Sequence, residues 1–167
     1  IDKHSLNSSI LDVLAGDVTA EDCIQCNEEA GFSVLPSNSD LTAAEVELLN
    51  VTNRTERLRD ALTSVKDRFD FIIIDCPPSL GLLTLNAITA ADSVLIPLQC
   101  EYYAMEGLTR LLSTVDVIKQ NLNRELSIEG ILLTMYDKCN NKCNDVVNEI
   151  RKHCEDKGFE SVIRRNV

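Results

Sequence analysis

Asp75 is the residue best suited to do chemistry in this chain. It ends the run Phe69-Asp70-Phe71-Ile72-Ile73-Ile74-Asp75 and is followed at once by Cys76-Pro77-Pro78-Ser79-Leu80-Gly81. Phe71 to Ile74 show no apolar/polar alternation, the pattern of a strand buried on both faces in a helix-covered parallel sheet. A carboxylate at the C-terminal end of such a strand stands where open α/β sheets bind ligands. It is costly there unless it holds a cation or a water. Proline has no N–H, so Pro77 and Pro78 force the chain out of the sheet. The competing reading is an ordinary strand end whose Asp starts a turn; the Asp-Cys-Pro-Pro-Ser-Leu-Gly run weighs against it.

Cysteines offer a second chemistry. Cys23-Ile-Gln-Cys26 and Cys139-Asn-Asn-Lys-Cys143 have zinc-like spacing, with His153 and Cys154 nearby in sequence. Seven cysteines is an odd count, and the pairs are separated by several elements, so the thiols are expected to be reduced and metal-free. Sixteen Lys and Arg against 27 Asp and Glu give a net charge of −11, which opposes sequence-independent binding to a phosphate backbone. DNA binding would need a local basic patch, for which Lys138 with Lys142 and Arg164 with Arg165 are the candidates. No apolar run approaches a transmembrane span, and no amphipathic membrane-targeting tail is visible, so no membrane partner is expected.

The elements that must position these residues alternate between helix and strand. Ser8–Leu14 and a stretch opening at Ala20 behind Thr19 read as short helices, and 32–35 as a short strand stopped by Pro36. Thr42-Ala-Ala-Glu45 has capping-box spacing. Leu58, Ala61, Leu62 and Val65 make a helical stripe ahead of the 69–75 strand. A helix at 82–90 leads to a strand at 93–97; Leu108, Leu111, Leu112, Val115, Ile118 and Leu122 mark the clearest amphipathic helix. A strand at 128–134, a helix bearing Val146, Val147, Ile150 and Cys154, and a strand at 160–163 complete the series. Strands separated by helices imply a single α/β domain over 1–167, doubly wound, with a mostly parallel sheet and helices on both faces.

The stretch FDFIIIDCPPSLGLLTLNAITAADSVLIPLQCEYYAMEG, from Phe69 to Gly107, resembles the ParA/Soj family of chromosome- and plasmid-partitioning ATPases. VLPSNSDLTAAEVEL, IEGILLTMYD and VIRRNV are similar to the same family in the same order. The resemblance implies an incomplete P-loop NTPase fold. The family opens with a deviant Walker A loop, close to K-G-G-V-G-K-T-T, and no G-x-x-x-x-G-K-[ST] occurs here. The chain is therefore expected to be an internal piece of a longer protein, truncated at both ends, that alone neither binds nor hydrolyses ATP.

The resemblance also assigns roles. Asp75 matches the Walker B aspartate, whose part is to hold the Mg²⁺ shell through water. Pro77, Pro78, Ser79 and Gly81 match the switch loop that senses the γ-phosphate, with Gly81 as its backbone pivot; a rigid turn is the alternative. Glu101 stands where related ATPases place an acid that reaches the ribose across the dimer, though a Glu favoured by a helix start explains it equally. Met135 and Asp137, in Thr134-Met135-Tyr136-Asp137, sit where the wider superfamily recognises the base. Asn166 matches an element bordering the adenine, with Arg164 in the place of its usual proline. Cys139 replaces an arginine that contributes to DNA binding in close relatives, leaving Lys138 and Lys142 as the substitutes.

For the complete protein these roles imply a cytoplasmic, nucleoid-associated ATPase using ATP and Mg²⁺. It would close as a homodimer, bind DNA non-specifically and be stimulated by a ParB-type centromere-binding protein. One alternative is a non-enzymatic remnant that keeps a partner surface. Another is a MinD-like division-site regulator; the Glu101–Gly107 segment fits the partitioning branch better.

Overall fold

The structure is a computed structural model describing residues 6–77, 79–101, 104–138, 140–153 and 157–166, with the side chains of Asn141, Lys142, Arg151 and His153 left out. Pro78, Cys139 and Cys154 lie outside the described residues. The chain divides into two compact units, 1–91 and 92–167.

In the first unit, helix α1 (Ile10–Ala15) is bounded by its own sequence. Ser9 Oγ accepts from the Leu11 N–H at 3.3 Å, and Asp12 Oδ2 accepts from the Ser9 N–H at 2.7 Å, which is a capping box. Gly16 ends the helix at φ 92°, a left-handed conformation that glycine adopts without strain. Arg57 covers the exposed helix end, donating from Nε to the Leu14 carbonyl and from Nη2 to the Ala15 carbonyl, both at 2.8 Å. Helix α2 (Ala20–Cys23) starts behind Thr19, whose Oγ1 accepts from the Asp22 N–H at 3.1 Å, as the sequence suggests.

Three expectations change here. Phe32–Val34 is a strand, β2, but it pairs antiparallel with β1 (Gln25–Asn27) instead of joining a parallel sheet. The intervening turn decides this: Asn27 Oδ1 accepts from the Ala30 N–H, and Gly31 turns the chain back at φ 71°. The capping box at Thr42 and Glu45 does not form. Asn38 caps a 3-10 turn at Ser39–Ala43 instead, accepting from the Asp40 N–H at 3.0 Å, and Thr42 donates to the Ser39 carbonyl. An Asn is among the strongest caps, and the turn it starts has already used the Thr42 hydroxyl. Helix α3 (Ala44–Glu47) follows without a side-chain cap.

The third change concerns the segment that carries Asp75. Residues 71–77 hold no regular secondary structure and join no ladder of described strands. Phe71 is 87% exposed and Ile73 93% exposed, while Ile74 packs on the cluster of Leu14, Ala44, Leu48, Leu58 and Ala87. A parallel strand needs a hydrogen-bonded neighbour, and no described strand runs beside it. Strand propensity alone does not make a strand.

Helix α4 (Arg57–Leu62) is shorter than the expected stripe, with Val65 in the turn that follows it. Leu58 packs on that cluster, Ala61 and Val65 on a second one with Val13, Ala20 and Cys23, and Leu62 on both. Helix α5 (Leu82–Ala90) has the bounds its sequence suggests. Its Asn86 is 1% exposed and satisfied by three hydrogen bonds: Nδ2 donates to the Arg54 carbonyl at 2.7 Å and the Leu82 carbonyl at 3.0 Å, and Oδ1 accepts from the Leu58 N–H at 3.2 Å. This side chain fastens the start of α4 to α5.

The second unit is α/β. Strands β3 (Ser93–Gln99), β4 (Ser127–Tyr136) and β5 (Gly158–Arg164) form a parallel sheet in that order. Helices α6 (Ala104–Asn121) and α7 (Asn141–His153) are the two crossovers, as the alternating pattern requires. Leu108 from α6, Val146, Val147 and Ile150 from α7, and Ile96, Ile131 and Leu133 from the sheet share one buried cluster. Both helices therefore cover the same sheet face. On the other face Leu95 and Ile163 are exposed.

Gly130, paired with Leu95, sits under a close approach by β5. A Cβ there would lie 2.5 Å from the Phe159 ring and 3.0 Å from the Lys157 carbonyl oxygen. The partly exposed ring can swing away, but the Lys157 backbone cannot move without disturbing its bond to the Ile131 N–H. Gly130→Ala is expected to destabilise the chain by about 1–3 kcal/mol, the usual cost of overpacking. A lowered midpoint in urea denaturation checks this; an unchanged one would show that β5 yields freely.

Candidate functional site

Parallel strands deliver their C-terminal ends to one edge, so the loops after β3, β4 and β5 converge. The register makes this concrete: Gln99 pairs with Thr134, and Tyr136 with Arg164. Glu101 follows β3, Met135 is the last residue but one of β4, Asp137 follows that strand, and Asn166 follows β5. Two backbone bonds tie the loops together across the edge. The Cys100 N–H donates to the Thr134 carbonyl at 3.1 Å, and the Arg165 N–H donates to the Tyr136 carbonyl at 3.0 Å. Four of the residues singled out from the sequence thus share one sheet edge.

Their environments differ. Glu101 is exposed, with its N–H on the Gln99 carbonyl at 2.8 Å and its own carbonyl accepting from the Ala104 N–H at the start of α6. Its carboxylate forms no ion pair among the described residues. Met135 is 42% exposed and adopts φ 54°, a left-handed conformation that costs a residue with a Cβ about 1–2 kcal/mol. Asp137 is exposed, and its carbonyl accepts from the Asn140 N–H at 3.1 Å. Asn140 in turn receives the Cys143 and Asn144 N–H groups, closing the turn into α7. Tyr136 Oη donates to Asn144 Oδ1 at 2.8 Å and fastens that turn to the end of β4. Asn166 is exposed beside Arg165. Lys138 is exposed, and the Lys142 side chain lies outside the described residues.

Asp75 and its loop belong to the first unit. Asp75 is exposed and forms no ion pair among the described residues. The adjacent Cys76 thiol is pushed above its ordinary value, chiefly by packing around the sulfur and then by the Asp75 carboxylate. Pro77 and Ser79 are exposed, and the Ser79 carbonyl accepts from the Thr84 hydroxyl. Gly81 is the N-cap of α5 at φ −81°, a conformation open to any residue, so left-handed freedom is not what this position needs. What distinguishes it is proximity: a Cβ on Gly81 would overlap the Glu45 carboxylate. Glu45 therefore sets a negative charge at the N-terminal end of α5, where a helix dipole favours one.

The approach of Glu45 to Gly81, the Asn86 bridge and the Tyr136–Asn144 pair escape sequence reasoning, which suggests only a capping role for Glu45. Asn86 leaves a trace there, as the lone amide in the helix LLTLNAITA. Among the described residues no group of three or more His, Cys, Asp or Glu side chains could hold a metal ion, and Cys23, Cys26, Cys76, Cys100 and Cys143 are free thiols. No described helix is long and apolar enough to cross a membrane.

Residues 1–128 match the model of a family described as an AAA domain. Over all 167 residues the chain is 51% identical to the chromosome partitioning protein ParA of Myxococcus xanthus and 47% identical to the sporulation initiation inhibitor protein Soj of Bacillus subtilis. It spans 59% and 66% of their lengths. Among solved structures it is similar to cobyrinic acid a,c-diamide synthase from Mycobacterium smegmatis, with 38% identity, a TM-score of 0.90, and coverage of 99% of this chain and 67% of that one. The same synthase with bound ADP and magnesium aligns with a TM-score of 0.87. A plasmid partition protein from Borrelia burgdorferi aligns at 25% identity with a TM-score of 0.80, over 99% of this chain and 66% of that one. With a matching family model over most of its length and partitioning proteins as relatives along all of it, the chain belongs to the ParA/Soj family of partitioning ATPases.

Proposed function

We propose that this chain contributes the metal-side aspartate, switch loop and base-side edge of an ATPase that partitions chromosomes or plasmids. The observation carrying this is the 51% identity to a chromosome partitioning ParA over the 167 residues of the chain, a span that contains Asp75 and the edge loops. That identity exceeds the 38% shared with the diamide synthase, which favours partitioning over amide synthesis.

The residues present fit part of an ATP·Mg²⁺ site. Magnesium is commonly held by one or two carboxylates with water and substrate phosphates, and Asp75 is a single exposed carboxylate of that kind. Met135, Asp137 and Asn166 line the edge where a base would lie, and Glu101 presents a carboxylate able to accept from ribose hydroxyls. No phosphate cradle of the G-x-x-x-x-G-K-[ST] type occurs in the 167 residues. Bound ATP·Mg²⁺ would supply the transferable phosphoryl group and its neutralising charge. The chain's own part would be to orient: Asp75 would hold a water of the magnesium shell, and the switch loop before α5 would face the terminal phosphate. In the complete protein, ATP-dependent homodimerisation, non-specific DNA binding through Lys138 and Lys142, and stimulation by a ParB-type centromere-binding protein follow from the same assignment. So does a cytoplasmic, nucleoid-associated location.

Two measurements test the reading. In titration calorimetry the 167-residue chain should give no ATP·Mg²⁺ binding heat; micromolar binding would reveal a cradle outside the proposed scheme. When the chain is joined to an amino-terminal segment bearing the family's Walker A loop, ATP turnover should appear. Asp75→Ala should then lower it about 100-fold, roughly 2.7 kcal/mol of transition-state stabilisation. Undiminished turnover would remove Asp75 from its role.

A further inference from the structure

Two cysteines far apart in sequence meet at the same sheet edge. Cys100 is the residue after β3, held by its N–H on the Thr134 carbonyl, and is 4% exposed. Cys143 lies in the first turn of α7 and is 3% exposed. The Cys143 thiol donates to the Cys100 carbonyl oxygen at 3.2 Å, across 43 residues of chain. Both belong to the one buried cluster that joins β3, β4, α6 and α7. A cysteine sulfur is tethered to its own carbonyl oxygen only through Cβ, Cα and the carbonyl carbon. The two sulfurs are thus a few bonds and one short contact apart, and rotation of Cys100 about χ1 between staggered wells is the motion that would bring them together. Cys23 stands in a different cluster, and Cys26 and Cys76 are exposed in the other unit.

We propose that Cys100 and Cys143 form an oxidisable dithiol, a modification site at which a small hydroperoxide closes a disulfide between the end of β3 and the first turn of α7. The inference does not depend on the ATPase reading. In the first step one thiolate attacks the peroxide oxygen, the O–O bond breaks, and water and a sulfenic acid form. In the second step the other thiol attacks the sulfenic sulfur, the S–S bond forms and a second water leaves. In sum, two thiols and one hydrogen peroxide give one disulfide and two waters. Burial fits a small oxidant and excludes large ones. The same burial, and next the neighbouring Cys143, push the Cys100 thiol above its ordinary value, so the first step quickens as the solution is made alkaline. The closed bond would hold the first turn of α7 against the end of β3, next to Glu101.

The test is peptide mapping of the folded 167-residue chain after hydrogen peroxide treatment, with free thiols blocked before digestion. The expected product is a Cys100–Cys143 linked peptide, two hydrogens lighter than the sum of its parts, that dithiothreitol separates. Its yield should rise several-fold between pH 7 and pH 9. Cys143→Ser should abolish the link and leave Cys100 as a blocked thiol or sulfinic acid. The proposal is overturned if Cys143 pairs with Cys139, or if both sulfurs stay unlinked once exposed Cys26 is fully oxidised. Because the wild-type map decides between these results, a poorly folding variant does not blunt the test.

Discussion

Replacing Asn86 with alanine should lower the urea midpoint of the chain by about 1–2 M. Asn86 is 1% exposed and joins three backbone groups: the Leu58 N–H at the start of α4, and the carbonyls of Arg54 and Leu82. The Leu82 carbonyl accepts a bond inside α5 in any case. The Arg54 carbonyl is near enough to the surface to find water. The Leu58 N–H has neither recourse, because Leu58 is 7% exposed and helix-terminal donors have no partner within their own helix. A buried donor stripped of its acceptor costs about 1–3 kcal/mol, and the lost volume adds to it. Against a total stability of about 5–15 kcal/mol that is a large share. Asn121→Ala, on the exposed face of α6, is the control and should shift the midpoint little. Equal midpoints for the two variants would show that Asn86 does not latch α4 to α5.

The second large effect concerns association. Phe71 and Ile73 are 87% and 93% exposed, Ile72 is 42% exposed, and no described strand pairs with them. Three consecutive large apolar residues with unpaired backbone are a template for strand addition by a second chain. The 167-residue chain is expected to self-associate in light scattering and to bind a hydrophobic dye. The double change Phe71→Asp with Ile73→Lys should return it to monomer with the dye signal largely lost, since each charge makes a dry strand interface costly. Neither residue belongs to a buried cluster, so the change should leave the helical signal in circular dichroism in place. A wild-type chain that is monomeric and dye-silent would refute this.

How far the sequence carries depends on whether each signal is local. The capped helix behind Thr19, helix 82–90 and the long amphipathic helix with Leu108, Val115 and Ile118 turned inward are all written in short-range patterns. That the strands run parallel follows from their alternation with helices; their β3-β4-β5 order comes from the structure, and parallel strands bring Glu101, Met135, Asp137 and Asn166 to one edge. The 32–34 strand was legible as a strand; its antiparallel partner was hidden in a three-residue stretch, Gln25–Asn27, too short for any periodicity. Thr42 does not cap a helix because Asn38, four residues earlier, starts the same turn.

The family, the helices of the second unit and the parallel character of its sheet were readable from the sequence, because burial periodicity and motif spacing are properties of neighbours along the chain; the β3-β4-β5 order was not. Tertiary structure alone decided that 71–77 has no ladder, that Glu45 stands against Gly81, that Asn86 bridges α4 and α5, and that Cys143 reaches Cys100. Each of these depends on which groups meet across many residues. A strand exists only where a second backbone accepts its hydrogen bonds, and a thiol finds a partner only where the sheet and a crossover helix converge.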